Sequence, residues 1–273
     1  MKNTIAAILL SSFFALAACK KNEKKDSSTE KTEVNQSEKF VVDSVKVSDS
    51  TKVNDSLTVK YTSKLLVFPS LKDQKLLDSI YFINKGATDF SKNGIQSYLE
   101  REKAEYFNSI RKEAKDLGVS FPQEWYTSNY MNLKSTTNDY MHIEYVYSAY
   151  EGGAHDNYGF SERVFDLKNN KKVQLADITT MPKKQIEGIL MKNINKMNSG
   201  TTDEKGEVKN SDMLLVEVIP ASSNFYFDDQ NLYFHYSPYE IAAFAAGDIT
   251  IPVSWEDLKG TLKPEFKERM KIK

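Results

Sequence analysis

The side chain with the most defined chemistry in this chain is the thiol of Cys19, which follows Leu16-Ala17-Ala18 and is the one cysteine among 273 residues. Ahead of it stand a basic Lys2 and an apolar run from Ile5 to Ala18. The run is shorter than the roughly 20 residues that span a bilayer and closes on small side chains, so residues 1–18 read as a secretory signal. The tetrapeptide has the form of a lipobox: alanines at 17 and 18 fit a peptidase groove, and the thiol is the acyl acceptor. Cys19 is therefore the expected lipidation site and the new N-terminus. Several acyl chains, at about 0.8 kcal/mol per buried CH₂, hold a protein on a membrane where one chain alone is marginal. The expected partner at this end is a lipid bilayer. The expected location is the cell envelope; the lack of Asp after Cys19 is compatible with the outer membrane, facing the periplasm or the cell surface.

The remaining reactive side chains are sparse. The three histidines are His142, His155 and His235, and none belongs to an HExxH or His-x-His spacing, so no metal site is expected. His142 and Glu144 fall on one face of an expected strand, as an acid–base or ligand pair or simply as a surface pair. No G-x-S-x-G elbow, Walker A loop or dinucleotide fingerprint occurs, and an acylated Cys19 leaves no nucleophilic thiol. Asp228-Asp229-Gln230-Asn231 reads as a hairpin turn rather than a calcium loop. No catalytic residue and no cofactor is expected, although carboxylates distant in sequence can still meet for glycoside chemistry.

Recognition is better represented than catalysis. The candidate binding residues are Tyr150, Glu151, Gly152, Gly153 and His155 in one segment, with Pro238, Tyr239 and Glu240 in another. Paired glycines permit positive φ and close approach of backbone, and tyrosines offer rigid, amphipathic contact area. The same glycines and tyrosines also serve a fold. The formal net charge is −1, and loss of residues 1–18 removes Lys2 alone, which leaves no basic field for nucleic acid.

These residues must be positioned by elements that the hydrophobic pattern describes. Residues 20–39 carry one aliphatic side chain, Val34, among mixed charges, too little apolar surface to offset ordering entropy. They read as a disordered tether. Residues 40–56 alternate Val with polar side chains and read as linker or edge strand; the linker is drawn over 19–56. Leu57, Val59 and Tyr61 alternate as a half-buried strand. A helix follows over 71–84 behind Ser70, and a longer one from Gly94 to Leu117 with Ile95, Leu99, Tyr106, Ile110 and Ala114 on one face. Strands are expected over 126–135 and 140–150. The run 163–176 reads as a hairpin with a three-residue loop, pairing Leu167 with Val173 and Phe165 with Leu175, because that register buries one face. A helix is expected over 182–197 and an exposed loop over 199–212. A second hairpin sets Phe225 and Phe227 against Phe234 and Leu232. A last strand covers 249–253, and Ser254-Trp255-Glu256-Asp257 forms a capping box opening a short helix. The class is α+β, a mainly antiparallel sheet with hairpins and a few packed helices, behind a lipobox and tether. The parts are drawn at 57–135 and 136–273.

One ordered set of segments is distinctive: Glu151-Gly152-Gly153-Ala154-His155 after a tyrosine-rich strand, Phe225-Tyr226-Phe227-Asp228-Asp229, and Ser237-Pro238-Tyr239-Glu240-Ile241 leading through Ala245-Ala246-Gly247 to Ile251-Pro252-Val253-Ser254. This set resembles the RsiV-like domain, the extracellular part of a lysozyme-sensing anti-sigma factor, with related domains in envelope lipoproteins. The likeness covers about 140–260, is weaker over 57–135 and absent from the tether. It implies a non-catalytic protein-binding domain with lysozyme, or another envelope protein, as the partner. The alternative is a peptidoglycan- or glycan-binding accessory domain, or a cell-wall-modifying enzyme. A lipobox in place of the family's transmembrane helix departs from the pattern and does not support the same signalling route.

Overall fold

The structure, a computed structural model, describes residues 40–114 and 121–273. The signal segment, Cys19, the tether to residue 39 and the expected helix stop at Leu117-Gly118 lie outside those residues. The described residues belong to one compact unit, Lys39–Lys273. In chain order the elements are β1 (Asp43–Lys52), β2 (Leu57–Val67), α1 (Gln74–Ile80), α2 (Lys92–Glu113), β3 (Gln123–Thr137), β4 (Tyr140–Tyr150), β5 (Asn157–Asp166) and β6 (Lys171–Lys172). There follow α3 (Leu175–Ile178), α4 (Lys183–Asn193), β7 (Thr202–Asp203), β8 (Gly206–Glu207), β9 (Phe225–Phe227), β10 (Asn231–Tyr236), β11 (Ile249–Ser254) and α5 (Pro264–Arg269). The class is α+β, as the pattern of the sequence implies.

Strands β1 to β6 form one sheet in sequence order. Every pairing in it is antiparallel except β2 with β3, which are parallel because α1 and α2 cross between them. Strand β1 corrects the linker boundary at residue 56: Val45 and Val47 are buried, and all of 43–52 pairs with β2. Alternating valines were sufficient for an edge strand once a partner strand lay beside them. The boundary drawn at 135/136 falls inside β3, so one sheet runs through it.

Helix α1 starts later than expected. Its cap is Asp73, whose Oδ1 accepts from the Leu76 N–H at 2.8 Å, and Ser70 lies in the turn that precedes it. Helix α2 is capped by Ser91, whose Oγ accepts from the Gly94 N–H at 3.1 Å. Its buried face carries Ile95, Leu99 and Ile110 and packs on β1 and β2. The turn between β3 and β4 is Asn138-Asp139, both with positive φ (52° and 57°), the twist that a two-residue hairpin requires.

The 163–176 register differs from expectation. Phe165 sits opposite Lys172 and Asp166 opposite Lys171, and Leu175 opens α3 instead of extending a strand. The one-buried-face argument fails here because β5 is covered on both sides: Val164, Phe165 and Asp166 are all buried. Phe165 enters the core beneath α1 and α2, while Val164 enters the second core. Asp166 then holds the turn by accepting from Asn169 through its N–H (3.0 Å) and Nδ2 (2.8 Å).

The second layer is a three-stranded sheet ordered β11-β10-β9. Phe227 pairs with Leu232 and Phe225 with Phe234, the register read from the sequence. The sheet packs against the face of β4 and β5 opposite α2, with α4 and α5 closing its far side. The reciprocal bonds between Ser254 and Asp257 form at 2.7 and 3.1 Å, but turns follow them rather than a helix. The 199–212 loop contains the small β7–β8 hairpin.

Candidate functional site

Two segments distant in sequence converge at one end of the sheets. Strand β4 ends at Tyr150 and turns through Gly152 and Gly153, with φ of 90° and 112°, values that a side chain would strain. The Tyr150 hydroxyl donates to the Gly153 carbonyl at 3.0 Å and closes the loop. The second segment leaves β10 at Ser237. Its turn is held by the Ser237 N–H donating to Glu240 Oε2 (2.9 Å) and the Glu240 N–H to the Ser237 carbonyl (3.1 Å), with Pro238 between them. Tyr239 adopts φ +68° and is exposed.

These loops meet through aromatic rings. The His155 imidazole stacks on Phe244 with centroids 3.8 Å apart, and its Nε2 lies 3.3 Å from the Tyr239 hydroxyl. Tyr158 meets Phe244 edge-on at 5.6 Å, and burial, with Asp248 and Asp156 nearby, pushes its hydroxyl pKa up. Tyr126 stacks beside Tyr150 and donates to Asp156 at 3.0 Å. Glu151, Asp156 and Glu240 have no ion-pair partner among the described residues. The result is an aromatic surface rimmed by unneutralised carboxylates. Asp228 and Asp229 do not join it: their turn lies at the opposite end of β4, beside Asn138 and Tyr140 around a cavity of about 320 Å³.

The sequence reading missed a buried, hydrogen-bonded cluster. His142 faces inward and pairs not with Glu144 but with Glu162 on β5. Its Nε2 lies 2.6 Å from Glu162 Oε2, while Glu144 takes Lys134 at 3.0 Å. Glu162 Oε1 lies 2.8 Å from His235 Nδ1, and His235 Nε2 lies 3.0 Å from Asp248 Oδ2. His142, Glu162 and His235 are buried, whereas Asp248 reaches solvent. Burial alone would raise the Glu162 pKa, yet two imidazole partners hold it below its ordinary value. Burial pulls His235 down, and its bonds to Asp248 and Glu162 more than reverse this, pushing it up to about 9. The His235 bond in turn holds Asp248 low.

Asn224 fixes this bridge between sheets: its Nδ2 donates to the Phe160 carbonyl (3.1 Å) and the His235 carbonyl (2.8 Å), and its Oδ1 accepts from the Glu162 N–H. Among the described residues no hydroxyl or thiol bonds either histidine, and no three His, Cys, Asp or Glu gather in metal-ligand geometry. Glu162 spans the imidazoles with separate oxygens instead of converging with them on a point. The period-2 alternation does place His142 and Glu162 on inward faces once β4 and β5 are aligned, but only the packing of the second sheet brings His235 to them.

The geometry so far defines a two-layer α+β domain with an aromatic, acid-rimmed loop surface and an ion-paired seam between its sheets. Residues 167–256 match a family model described as a protein of unknown function (DUF3298). A crystal structure of a DUF3298 family member from Bacteroides fragilis is similar over 86% of this chain and 98% of that one, with TM-score 0.66 and 20% identity. A DUF3298 family protein from Pseudomonas aeruginosa covers 83% of this chain and 96% of its own, with TM-score 0.54 and 16% identity. At these identities the likeness is one of fold. No curated protein matches the sequence.

Proposed function

We propose that this protein is a lipid-anchored component of a bacterial cell envelope, held by Cys19, whose folded part binds a basic protein through the surface built by the 150–158 and 237–247 segments. Lysozyme is the partner that the RsiV-like resemblance nominates. The observation that carries this reading is the joining of exposed His155 and Tyr239 with half-buried Phe244 into one aromatic face, with Asp156 and Glu240 on the segments that build it. Rigid rings supply contact area at low entropic cost, and unpaired carboxylates steer and orient a cationic partner. Among the described residues no helix is long and apolar enough to cross a membrane.

The test is titration calorimetry of the full chain against a C-type lysozyme at low and moderate salt. Saturable one-to-one binding that weakens with salt is expected, since exposed charges are screened over about 10 Å at 0.1 M. Tyr239→Ala should lower affinity by about tenfold or more, as loss of an aromatic anchor does, without changing the melting temperature. Absence of heat at concentrations near 100 μM, where only binding weaker than about −5 kcal/mol escapes, would remove lysozyme as the ligand. Mass spectrometry of the mature N-terminus tests the anchor separately: Cys19→Ser should abolish lipid attachment.

A further inference from the structure

Beneath α2, on the opposite face of the main sheet from the second layer, lies a cavity of about 260 Å³. Helix α2 covers β1 and β2 but leaves part of β3 and β4 open, and the gap is lined by Tyr61, Ser63, Tyr98, Glu102, Tyr106 and Asn129. Ser63 is 2% exposed and Tyr61 5%, yet among the described residues their hydroxyls have no hydrogen-bond partner beyond each other. The Tyr106 hydroxyl is buried with none. Asn129 has no side-chain partner among the described residues, whereas Glu102 accepts from the Tyr98 hydroxyl, which itself accepts from Asn84 Nδ2 at 3.3 Å. Other buried tyrosine hydroxyls are bonded, as most buried polar groups are: Tyr81 donates to the Leu66 carbonyl (2.5 Å), Tyr145 to Ile80 (2.7 Å) and Tyr236 to Pro220 (2.7 Å). At this cavity an unbonded Tyr106 hydroxyl lies together with the Tyr61 and Ser63 hydroxyls, which bond only each other.

We infer that this cavity is a binding site for a neutral pyranose ring, separate from the protein-docking surface. Its lining holds no Lys or Arg, which disfavours phosphate and other anions. Hydroxyls of Tyr and Ser both donate and accept, an amide offers one of each, and Glu102 accepts, matching the vicinal hydroxyls of a sugar. The tyrosine rings offer flat apolar faces for the C–H side of the ring. The volume of about 260 Å³ falls just below the roughly 300–1,000 Å³ of drug-sized ligand sites, which suits one ring rather than an extended chain.

The experiment is saturation-transfer NMR and titration of the full chain with methyl β-D-glucopyranoside, N-acetylglucosamine and glucose 6-phosphate. The neutral sugars should bind saturably with dissociation constants of about 1–10 mM, and the phosphate ester more weakly. Tyr61→Phe and Ser63→Ala each delete one hydroxyl and should weaken binding by about two- to tenfold, the worth of one neutral hydrogen bond. Neither deletes a bond within the protein other than their mutual one, so melting temperatures should hold. Tyr239→Ala should leave sugar binding unchanged. No saturable binding at about 20 mM sugar, a concentration above the expected constants, overturns the inference. So does binding that survives both hydroxyl deletions intact, or tighter binding of the phosphate ester. Failure of lysozyme titration alone would leave it standing.

Discussion

Replacing Glu162 with glutamine should remove the charge that joins the two sheets, and the loss should depend on pH in a defined way. The carboxylate is 3% exposed and lies 2.6 Å from His142 Nε2 and 2.8 Å from His235 Nδ1. A carboxamide keeps the shape but offers one acceptor oxygen in place of two and carries no charge for the imidazoles to pair with. Breaking a buried ion pair by neutralising one partner costs about 3–5 kcal/mol. His235 gives a second route to the size. Its rise from 6.5 to about 9, at about 1.4 kcal/mol for each pH unit, corresponds to about 3 kcal/mol of stability shared between Glu162 and Asp248. Because the folded pKa is raised, this contribution is whole below pH 6.5 and fades as pH climbs through 9. On the acid side Glu162 and Asp248 are held low, so their contribution is present above their ordinary values of 4.5 and 3.8 and fades as pH falls through the folded ones. Wild type minus Glu162→Gln, measured by urea denaturation of the full chain, should therefore peak between about pH 5 and 6.5 at about 3 kcal/mol and shrink toward pH 10. Titrations common to both proteins cancel in the difference. A difference equal at pH 6 and pH 9.5 would refute the electrostatic account and leave only a packing role.

Two further substitutions test the frame around the sites. Arg269 sits over the Tyr140 ring at 3.9 Å, pairs with Asp166 at 2.9 Å and donates to the Asn138 and Asp139 carbonyls. Arg269→Ala should cost about 3 kcal/mol or more, since Asp166 stays buried without its cation; a change in urea midpoint equivalent to less than about 1 kcal/mol, the range of exposed pairs, would show the clamp to be idle. Gly94 lies in the first turn of α2, where alanine ordinarily stabilises a helix by about 1 kcal/mol. Here a β-carbon would enter the space of the Asp89 backbone carbonyl, so Gly94→Ala should lower stability by about 1–3 kcal/mol, as overpacking does. A raised melting temperature would show that the 89–91 segment yields.

Much of the architecture was legible without coordinates because period and spacing report faces directly. The 140–150 strand matches β4, and the pairing of Phe225 and Phe227 with Phe234 and Leu232 follows from alternation with one buried face. Gly152 and Gly153 announced a turn that needs positive φ. Where the same logic failed, at 163–176, the cause is that β5 is buried on both faces, and period-2 patterning cannot report a second covering layer. His142 was placed on the correct face but paired with its neighbour Glu144, since alternation says which side a residue faces and not what arrives there. The sequence by itself determined most of the strands and helices and the glycine loop, and it nominated the candidate binding residues. Only tertiary structure decided that His155 lies against Tyr239 and Phe244, 84 and 89 positions away. It also decided that Glu162 bridges His142 and His235, and that a polar cavity opens under α2. Each of those is a contact between faces, and a face acquires its partner only when two layers pack.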